Sequence, residues 1–324
     1  MNFTIVVIFT MLISFLLTVI LMPLFIMWMV KLKRGQEIRD EGPAWHQVKS
    51  GTPTMGGAIF MVAILVTTLF DYFVRSDKTW GVWPLMALAV VFGVIGFLDD
   101  FIKVVLRRNL GLTSGQKFVG QLIGGLGFAL LIYFNAQRDN LWIFGWSNVL
   151  ITLIAIAFVT IWINGFSNAV NLTDGLDGLV GGLGIISFGA YAIIAVHQGQ
   201  HNIAVFCLTV VASLAGFLVF NHKPAKIFMG DVGSLSLGAL LAGISVLLNQ
   251  EWTLLLIGLV YILETLSVMI QVGHFKRTGN RIFKMSPVHH HFEMVGWSEW
   301  KINFVFWGVG LVASAIAVVI AIAL

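Results

Sequence analysis

The stretch FTIVVIFTMLISFLLTVILMPLFIMWMV, residues 3–30, decides the fold class of this chain. It contains no charged residue, and it is longer than the roughly 20 apolar residues that a helix needs to cross a bilayer. No positive charge precedes it, whereas Lys31, Lys33 and Arg34 follow it closely. A cleaved leader has the opposite charge order and a shorter apolar run, so we expect a first membrane helix with its N-terminus outside.

The rest of the chain is equally apolar. Of the 324 residues, 58% are hydrophobic and 10% are charged, whereas soluble domains carry roughly 25% charged residues. Further apolar segments lie near residues 55–74, 83–106, 117–135, 148–165, 179–197, 201–220, 231–249, 253–274 and 301–324. We therefore predict an all-α integral membrane protein, a single transmembrane domain over residues 1–324, with ten transmembrane helices and both termini outside.

Charge is shared unevenly between the two sides of the membrane. All Lys and Arg residues except Arg75, Lys78 and Arg138 fall on one side, in the loops near 31–54, 103–117, 164–178, 221–230 and 274–301. Positive charge favours the cytoplasmic side, so this side is predicted to be inside. Most Asp and Glu residues fall there too, which the rule for positive charge does not require. The active site is therefore expected on the cytoplasmic face.

A pair of carboxylates ends the third segment, in LDDFIK at 98–103. A charged side chain costs about 2.5–3.5 kcal/mol at the centre of a membrane and less at its edge. Because adjacent carboxylates repel each other unless a cation lies between them, Asp99 and Asp100 suit Mg²⁺ coordination or proton abstraction. Simple salt bridges from Lys103, one helical turn away, are the alternative.

A second cluster is NAVNLTDGLDGL at 168–179. The oxygens of Asp174 and Asp177 suit a hard cation, and the glycine after each lets a ligand approach the backbone. The amides of Asn168 and Asn171 can bind a hydroxyl group or a base edge. A helix-capping turn is the alternative, although a cap needs fewer polar residues than these.

The third cluster is NHKPAKIFMGDVGS at 221–234. Asp231 opens the eighth segment, where the partial positive charge of a helix N-terminus stabilises a carboxylate or a phosphate. Phe228 can stack on a planar base, or it can simply pack at the membrane edge.

The fourth cluster is MSPVHHHFE at 285–293. Three consecutive histidines cannot all face one metal ion from a regular helix or strand. They can bind phosphate when protonated, or act as an acid or base. Zinc is an alternative, but the oxygen-rich clusters favour Mg²⁺. The basic residues nearby provide charge for a diphosphate or for anionic lipid: Lys276, Arg277, Arg281 and Lys284.

Transport is the main alternative from another functional class. Glu264 lies inside the ninth segment and needs a partner there, such as a lysine or a helix N-terminus. The chain has no Walker loop, so ATP-driven transport has no support. A secondary transporter would place its key charges near the membrane midplane, whereas most acidic residues here lie at segment ends.

Five motifs, in this order, resemble one enzyme family: GTPTMGG at 51–57, LDDFIK at 98–103, NLTDGLDG at 171–178, MGDVGS at 229–234 and SPVHHHFE at 286–293. The chain resembles the phospho-N-acetylmuramoyl-pentapeptide transferases, of the polyprenyl-phosphate N-acetylhexosamine-1-phosphate transferase superfamily. The resemblance spans nearly the whole chain, and no motif position departs from the family pattern.

The resemblance implies a reaction at the bacterial plasma membrane. Phospho-N-acetylmuramoyl-pentapeptide would pass from UDP-N-acetylmuramoyl-pentapeptide to undecaprenyl phosphate with Mg²⁺ as cofactor, releasing UMP and forming lipid I. The partners are thus these two substrates and the bilayer, with no nucleic acid; a homodimer remains open. A transferase for UDP-N-acetylglucosamine would share the Asp clusters, but the HHH and TPTM segments argue against it. A membrane prenyltransferase would need another Asp-rich motif.

The resemblance also implies roles for individual residues. Asp231 would bind the metal, with Asp174 as a further candidate ligand, and Asp99 would deprotonate or position the lipid phosphate. Asp100 and Lys103 would contact phosphates, and the uridine and adjoining phosphates would lie among Asn171, Asp174, Asp177 and Phe228. His289, His290 and His291 would close the site. Further substrate contacts are expected from Lys49, Lys117, Asn168, Asn221 and Gln271.

Overall fold

The computed structural model describes residues 3–31, 51–74, 81–104, 111–139 and 149–323. Every regular element in these ranges is a helix, so the all-α prediction is confirmed for the described part of the chain. The helices are α1 (Phe3–Lys31), α2 (Gly56–Val74), α3 (Val82–Val104), α4 (Ser114–Asp139), α5 (Val149–Thr173), α6 (Leu179–His197), α7 (His201–Asn221), α8 (Gly230–Leu247), α9 (Leu254–Ile257), α10 (Leu259–Thr278), α11 (Val288–Met294) and α12 (Glu299–Ala323).

Within these ranges, 9 helices are long and apolar enough to cross a membrane, namely α1 to α8 and α12. A helix suits this environment because all its backbone hydrogen bonds are internal. The predicted segment 253–274 is divided at Gly258 into α9 and α10. Helix α10 is less apolar because it contains Glu264 and ends with Lys276 and Arg277. The number of ten transmembrane helices therefore remains a prediction.

Helix α5 extends further than its apolar segment, which ends near residue 165. Its last turns contain Asn164, Asn168 and Thr173, whose side chains donate to backbone carbonyls four residues earlier, at 2.7, 2.8 and 2.8 Å. These bonds satisfy polar groups at the end of the helix without interrupting it. Asn168 and Asn171, expected in a loop, thus lie on the helix.

Helix α8 is the centre of the fold. Along its length 89% of the residues are buried, against 28% in the most apolar stretch of α1. Its small residues allow close approach to α2, α3 and α5. Gly233 packs against Gly57 of α2, and Gly238 packs against the backbone of Phe166 in α5. Ser167 of α5 also donates to the carbonyl of Leu235 at 3.0 Å. This packing fixes the N-terminus of α8 relative to its neighbours.

Candidate active site

Three carboxylates meet where the last turns of α3 approach the first turn of α8. Asp99, Asp100 and Asp231 each offer an oxygen within 4.8 Å of the others. Asp99 and Asp100 are 2% and 4% exposed, while Asp231 is partly exposed. The prediction that Asp231 opens a helix is confirmed, since α8 begins at Gly230. The cluster joins two motifs that are more than 100 residues apart in the sequence.

Glycines make this approach of α3 and α8 sterically possible. A side chain on Gly96 would overlap the backbone carbonyl of Asp231. Gly230 has φ +76°, a left-handed conformation that favours glycine, and a side chain there would meet the carboxylate of Asp100. The backbone amide of Val232 donates to the same carboxylate at 3.2 Å. Asp100 is therefore held by the start of α8.

Two lysines neutralise part of the carboxylate charge. Lys103 forms an ion pair with Asp99, one helical turn earlier, and its ammonium also lies 3.4 Å from Asp231. Lys117, in the first turn of α4, lies 2.5 Å from Asp231. The salt bridge proposed as the alternative role of Lys103 thus exists, but it is part of a larger cluster. Lys117 enters this cluster from a separate helix, as a member of the predicted substrate-binding set.

Neutral donors orient the carboxylates further. The amide of Asn171, at the end of α5, donates to Asp231 and to Ser234, both at 2.8 Å. The backbone amide of Leu112 donates to Asp99 at 2.9 Å. Three acidic side chains are therefore positioned by the start of α8, the end of α5 and the segment before α4.

The donor set suits a hard divalent cation. Three carboxylates face two ammonium groups, so ionised carboxylates leave negative charge in excess. Their oxygens are the ligands that Mg²⁺ prefers, and sulfur ligands are absent from this cluster. Asp231 lies at its centre because it contacts both lysines and Asn171. Asp99, Asp100 and Asp231 are therefore suitable metal ligands.

Asp174 follows α5 directly and belongs to the same electrostatic environment. Desolvation by the surrounding protein, together with the negative charges of Asp231, Asp100 and Asp177, raises the pKa of the Asp174 carboxyl to about 8. A cation bound beside a carboxylate lowers its pKa. Binding of a metal ion or a basic ligand group near the cluster should therefore lower the pKa of Asp174.

The loop at 174–178 is fixed against the segment that leads into α8. The buried carboxylate of Asp177 accepts from the backbone amide of Ala225 at 3.1 Å. Asn221 accepts from the amide of Gly178 at 3.0 Å and donates to the carbonyl of Ile227 at 2.9 Å. Both side chains therefore shape the loop. Their role in substrate binding remains a prediction.

Phe228 and the GTPTMGG segment pair through their backbones. The amide of Phe228 donates to the carbonyl of Pro53 at 2.8 Å, and its carbonyl accepts from Gly56 at 2.9 Å. The Phe228 ring is partly exposed, as a stacking surface requires. This pairing brings the first motif to the start of α8. Lys49, just before the motif, lies outside the described residues.

The three histidines lie on the short helix α11, and their rings have different partners. His289 Nδ1 lies 3.0 Å from the Glu264 carboxylate, and His290 Nδ1 lies 2.7 Å from the Glu293 carboxylate. His291 Nδ1 accepts from the backbone amide of Lys284 at 3.1 Å. Of the three, His289 approaches the 174–178 loop, because a side chain on Gly175 would overlap its ring.

Two other predicted substrate-binding residues have structural contacts. Gln271 accepts from the amides of Ile282 and Phe283, both at 3.0 Å, and so holds the loop before α11. Asn168 donates to Gln121 of α4 at 2.9 Å, which links α4 to α5. Their predicted substrate contacts stay predictions.

The contacts of two residues in this region could not be predicted from the sequence. Glu264 pairs with a histidine, not with the lysine or helix N-terminus that we expected, and its burial inside an apolar segment was the only signal. Ser234 was inside a quoted motif, but nothing in its spacing indicated the contact with Asn171.

An apolar groove lies beside the histidine helix. It has a volume of ≈ 440 Å³ and is lined by α10, α11 and α12, including Leu263, Phe292 and Phe306. Because its lining is almost entirely hydrocarbon, it suits an aliphatic chain rather than a polar ligand.

Known proteins resemble this chain along almost its entire length. It is 56% identical over 304 residues to the phospho-N-acetylmuramoyl-pentapeptide-transferase of Enterococcus faecalis. The aligned region covers 94% of this chain and 95% of the relative. The relative of the same name from Lacticaseibacillus paracasei is 53% identical over 304 residues, covering 94% of each chain. That from Listeria monocytogenes is 52% identical over 313 residues, covering 96% of each.

A family model described as Glycosyl transferase family 4 matches residues 82–249, from α3 to the end of α8. The match contains Asp99, Asp100 and Asp231, and the loop at 174–178. The relatives extend it across α1, α2 and the histidine helix. The chain is therefore a multi-pass membrane transferase that belongs to glycosyl transferase family 4 and, within it, to the phospho-N-acetylmuramoyl-pentapeptide transferases.

Proposed function

We propose that this enzyme transfers phospho-N-acetylmuramoyl-pentapeptide from UDP-N-acetylmuramoyl-pentapeptide to undecaprenyl phosphate. An oxygen of the lipid phosphate attacks the sugar-proximal phosphorus of the donor. The bond between the two donor phosphates breaks, and UMP leaves with the bridging oxygen. One phosphate anhydride is exchanged for another, so the reaction needs no other energy source. The product, lipid I, is the first membrane-bound intermediate of peptidoglycan synthesis.

The cluster of Asp99, Asp100 and Asp231 with Lys103 and Lys117 supports this proposal most strongly. Phosphoryl transfer depends on positioning and charge neutralisation more than on covalent participation of the protein. This cluster provides both, since it combines fixed carboxylates with two ammonium groups at one end of the helix bundle. The names of the relatives support the choice of the donor sugar.

The acceptor side of the site is assigned to the end of α3. Asp99 deprotonates or positions the lipid phosphate, and Lys103 and Asp100 lie with the phosphates. When bound, Mg²⁺ would be held by Asp231, with Asp174 as a further ligand, and would neutralise developing negative charge. Lys117 places an ammonium group beside Asp231, where it neutralises part of the carboxylate charge and contacts the phosphates.

The nucleotide side of the site is assigned to the end of α5 and the start of α8. Asn171, Asp174 and Asp177 surround the uridine and its phosphates, and the partly exposed ring of Phe228 stacks on the base. His289, His290 and His291 close the site from α11. The groove between α10, α11 and α12 accommodates part of the polyprenyl chain.

The proposed topology places this site on the cytoplasmic face of the bacterial plasma membrane. The motifs lie at the end of α3, the end of α5 and the start of α8, which meet at the same end of the bundle. The flanking loops carry most of the positive charge of the chain. A single catalytic domain with ten membrane helices and both termini outside fits this arrangement.

Donor selection tests the proposal. Purified protein in detergent is incubated with undecaprenyl phosphate, Mg²⁺ and either UDP-N-acetylmuramoyl-pentapeptide or UDP-N-acetylglucosamine. We expect release of UMP and a lipid-linked product only from the muramoyl donor. Turnover of only the N-acetylglucosamine donor would contradict the proposal and would assign the chain to another specificity.

A further inference from the structure

Glu264 and His289 form a pair that is completely enclosed by the protein. The Glu264 carboxylate lies 3.0 Å from His289 Nδ1, and both side chains are 0% exposed. Glu264 is on α10 and His289 is on α11, 25 positions apart in the chain. The contact therefore depends on how the histidine helix folds back onto α10.

The carboxylate determines which ring nitrogen of His289 remains available. A carboxylate can only accept, so Nδ1 carries the hydrogen of this bond and Nε2 is the free nitrogen. Nε2 lies against Gly175, where an added side chain would overlap it. Among the described residues, buried Nε2 has no hydrogen-bond partner. The free nitrogen thus faces the loop that carries Asp174 and Asp177.

Packing alone does not explain such a pair. Taking the Glu264 carboxylate out of water costs free energy that a single hydrogen bond to an imidazole only partly offsets. The second carboxylate oxygen of Glu264 also has no hydrogen-bond partner within the described ranges. A buried polar atom without a partner costs about 1–3 kcal/mol. Apolar side chains of similar size would satisfy the packing at lower cost, which favours a functional role.

We propose that Glu264 is a positioning residue that acts through His289, holding the imidazole with Nε2 against the Asp174–Gly178 loop, so that the ring sets the position of Asp174 beside the donor phosphates. This inference rests on the proposed function for the identity of the phosphate. Glu264 does not touch the substrate. It fixes the ring orientation and the hydrogen position of His289, which is itself buried and acts through the loop.

A double-mutant cycle tests the coupling between the two residues. Wild type, Glu264→Gln, His289→Gln and the double variant are compared for UMP release. Glu264→Gln is expected to lower kcat about 10- to 100-fold with little change in KM, because a displacement of about 1 Å at a catalytic site can cost about 100-fold. In the His289→Gln background, Glu264→Gln should cause no further loss. Glu264→Asp, which keeps the charge, should retain part of the activity.

The matched control is Glu251→Gln, which makes the same chemical change at a buried residue beyond the far end of α8. It should leave kcat and KM near wild type. An equal loss from Glu264→Gln with and without His289, or a loss confined to KM, would overturn the proposal. If Glu264→Gln does not fold, the cycle of Glu264→Asp with His289→Gln makes the same test.

A readout without substrate separates this inference from the proposed function. In spectra of ligand-free protein with ¹⁵N-labelled histidine, the signals absent from His289→Gln identify that ring. These signals should shift in Glu264→Gln and stay unchanged in Glu251→Gln. Unchanged signals in Glu264→Gln would contradict the positioning role, whereas failure of wild type to release UMP would contradict the proposed reaction alone.

Discussion

Lys117, in the first turn of α4, donates to Asp231, in the first turn of α8, across 2.5 Å, although 114 positions separate them in the chain. Side chains of both residues are largely buried, at 18% and 15% exposure. The ammonium therefore occupies a place beside the carboxylate that a metal ion would also favour. The Lys117 ammonium and a metal ion are therefore expected to compete for the negative charge of the Asp231 carboxylate.

Replacing Lys117 by Met should show whether the lysine competes with Mg²⁺ for the charge of Asp231 and whether it also supports turnover. Without the ammonium, the carboxylates carry more net negative charge, so Mg²⁺ should bind more tightly. We expect the half-saturating Mg²⁺ concentration to fall roughly fivefold, equivalent to about 1 kcal/mol for a partly buried pair. The kcat should fall as well, because the phosphates lose a cation. Mg²⁺ titrations of UMP release measure both.

Lys31→Met, an exposed lysine at the end of α1, is the control and should change neither quantity. A higher Mg²⁺ requirement in Lys117→Met would show that the lysine helps to build the metal site instead of competing for its charge.

Removal of Mg²⁺ should lower both activity and thermal stability, and both effects should depend on Asp231. Chelation with EDTA should stop UMP release, and added Mg²⁺ should restore it. A ligand at about 100 times its Kd stabilises the folded state by about 2.7 kcal/mol, so Mg²⁺ should also raise the Tm of wild type. Asp231→Asn should lose both the activity and the Mg²⁺-dependent rise in Tm. Asp71→Asn, toward the opposite end of α2, should keep both; a preserved Tm response in Asp231→Asn would remove that residue from the metal role.

Gly96→Ala should separate α3 from α8, because the added methyl group would overlap the Asp231 carbonyl. Inserting a methyl group into a packed contact costs about 1–3 kcal/mol. We expect a lower Tm in detergent and a loss of kcat, since the carboxylates no longer meet. The control is Gly189→Ala in α6, where an added methyl group has open space. Equal Tm and kcat in the two variants would contradict the packing argument.

Gly175→Ala should displace the His289 ring without removing any functional group. The added methyl group would overlap Nε2, so kcat should fall by about tenfold or more, as expected for a misplaced functional side chain. Gly165→Ala, where an added methyl group meets no neighbour, is the matched control. A normal kcat for Gly175→Ala would show that the contact between the histidine helix and the loop has no role in turnover.

Hydrophobicity alone predicted most of the fold. The segments at 179–197 and 201–220 match α6 and α7 almost residue for residue, because apolar runs end where the helices do. The prediction was less accurate for α5, whose polar end continues the helix through side-chain bonds to its own carbonyls. It was also less accurate at 253–274, where Gly258 divides the helix and Glu264 interrupts the apolar pattern.

The candidate site was predictable as residue types but not as contacts. Asp99, Asp100 and Asp231 stood out because charges are rare in this chain, and α3 and α8 do bring them together. The pairing of Lys117 with Asp231 and of Glu264 with His289 could not be inferred from spacing, since each depends on the packing of separate helices. The sequence also did not indicate that the side-chain amides of Asn221 and Gln271 accept hydrogen bonds from the backbone of neighbouring loops.

The position of the bond that breaks tests the central claim most directly. The donor UDP-N-acetylmuramoyl-pentapeptide is labelled with ³²P in its sugar-proximal phosphate and incubated with the enzyme, undecaprenyl phosphate and Mg²⁺. Attack on that phosphorus predicts that the label moves into the lipid fraction and that unlabelled UMP is released. Label recovered in UDP, with a lipid product that lacks it, would mean attack at the sugar carbon and would contradict the account.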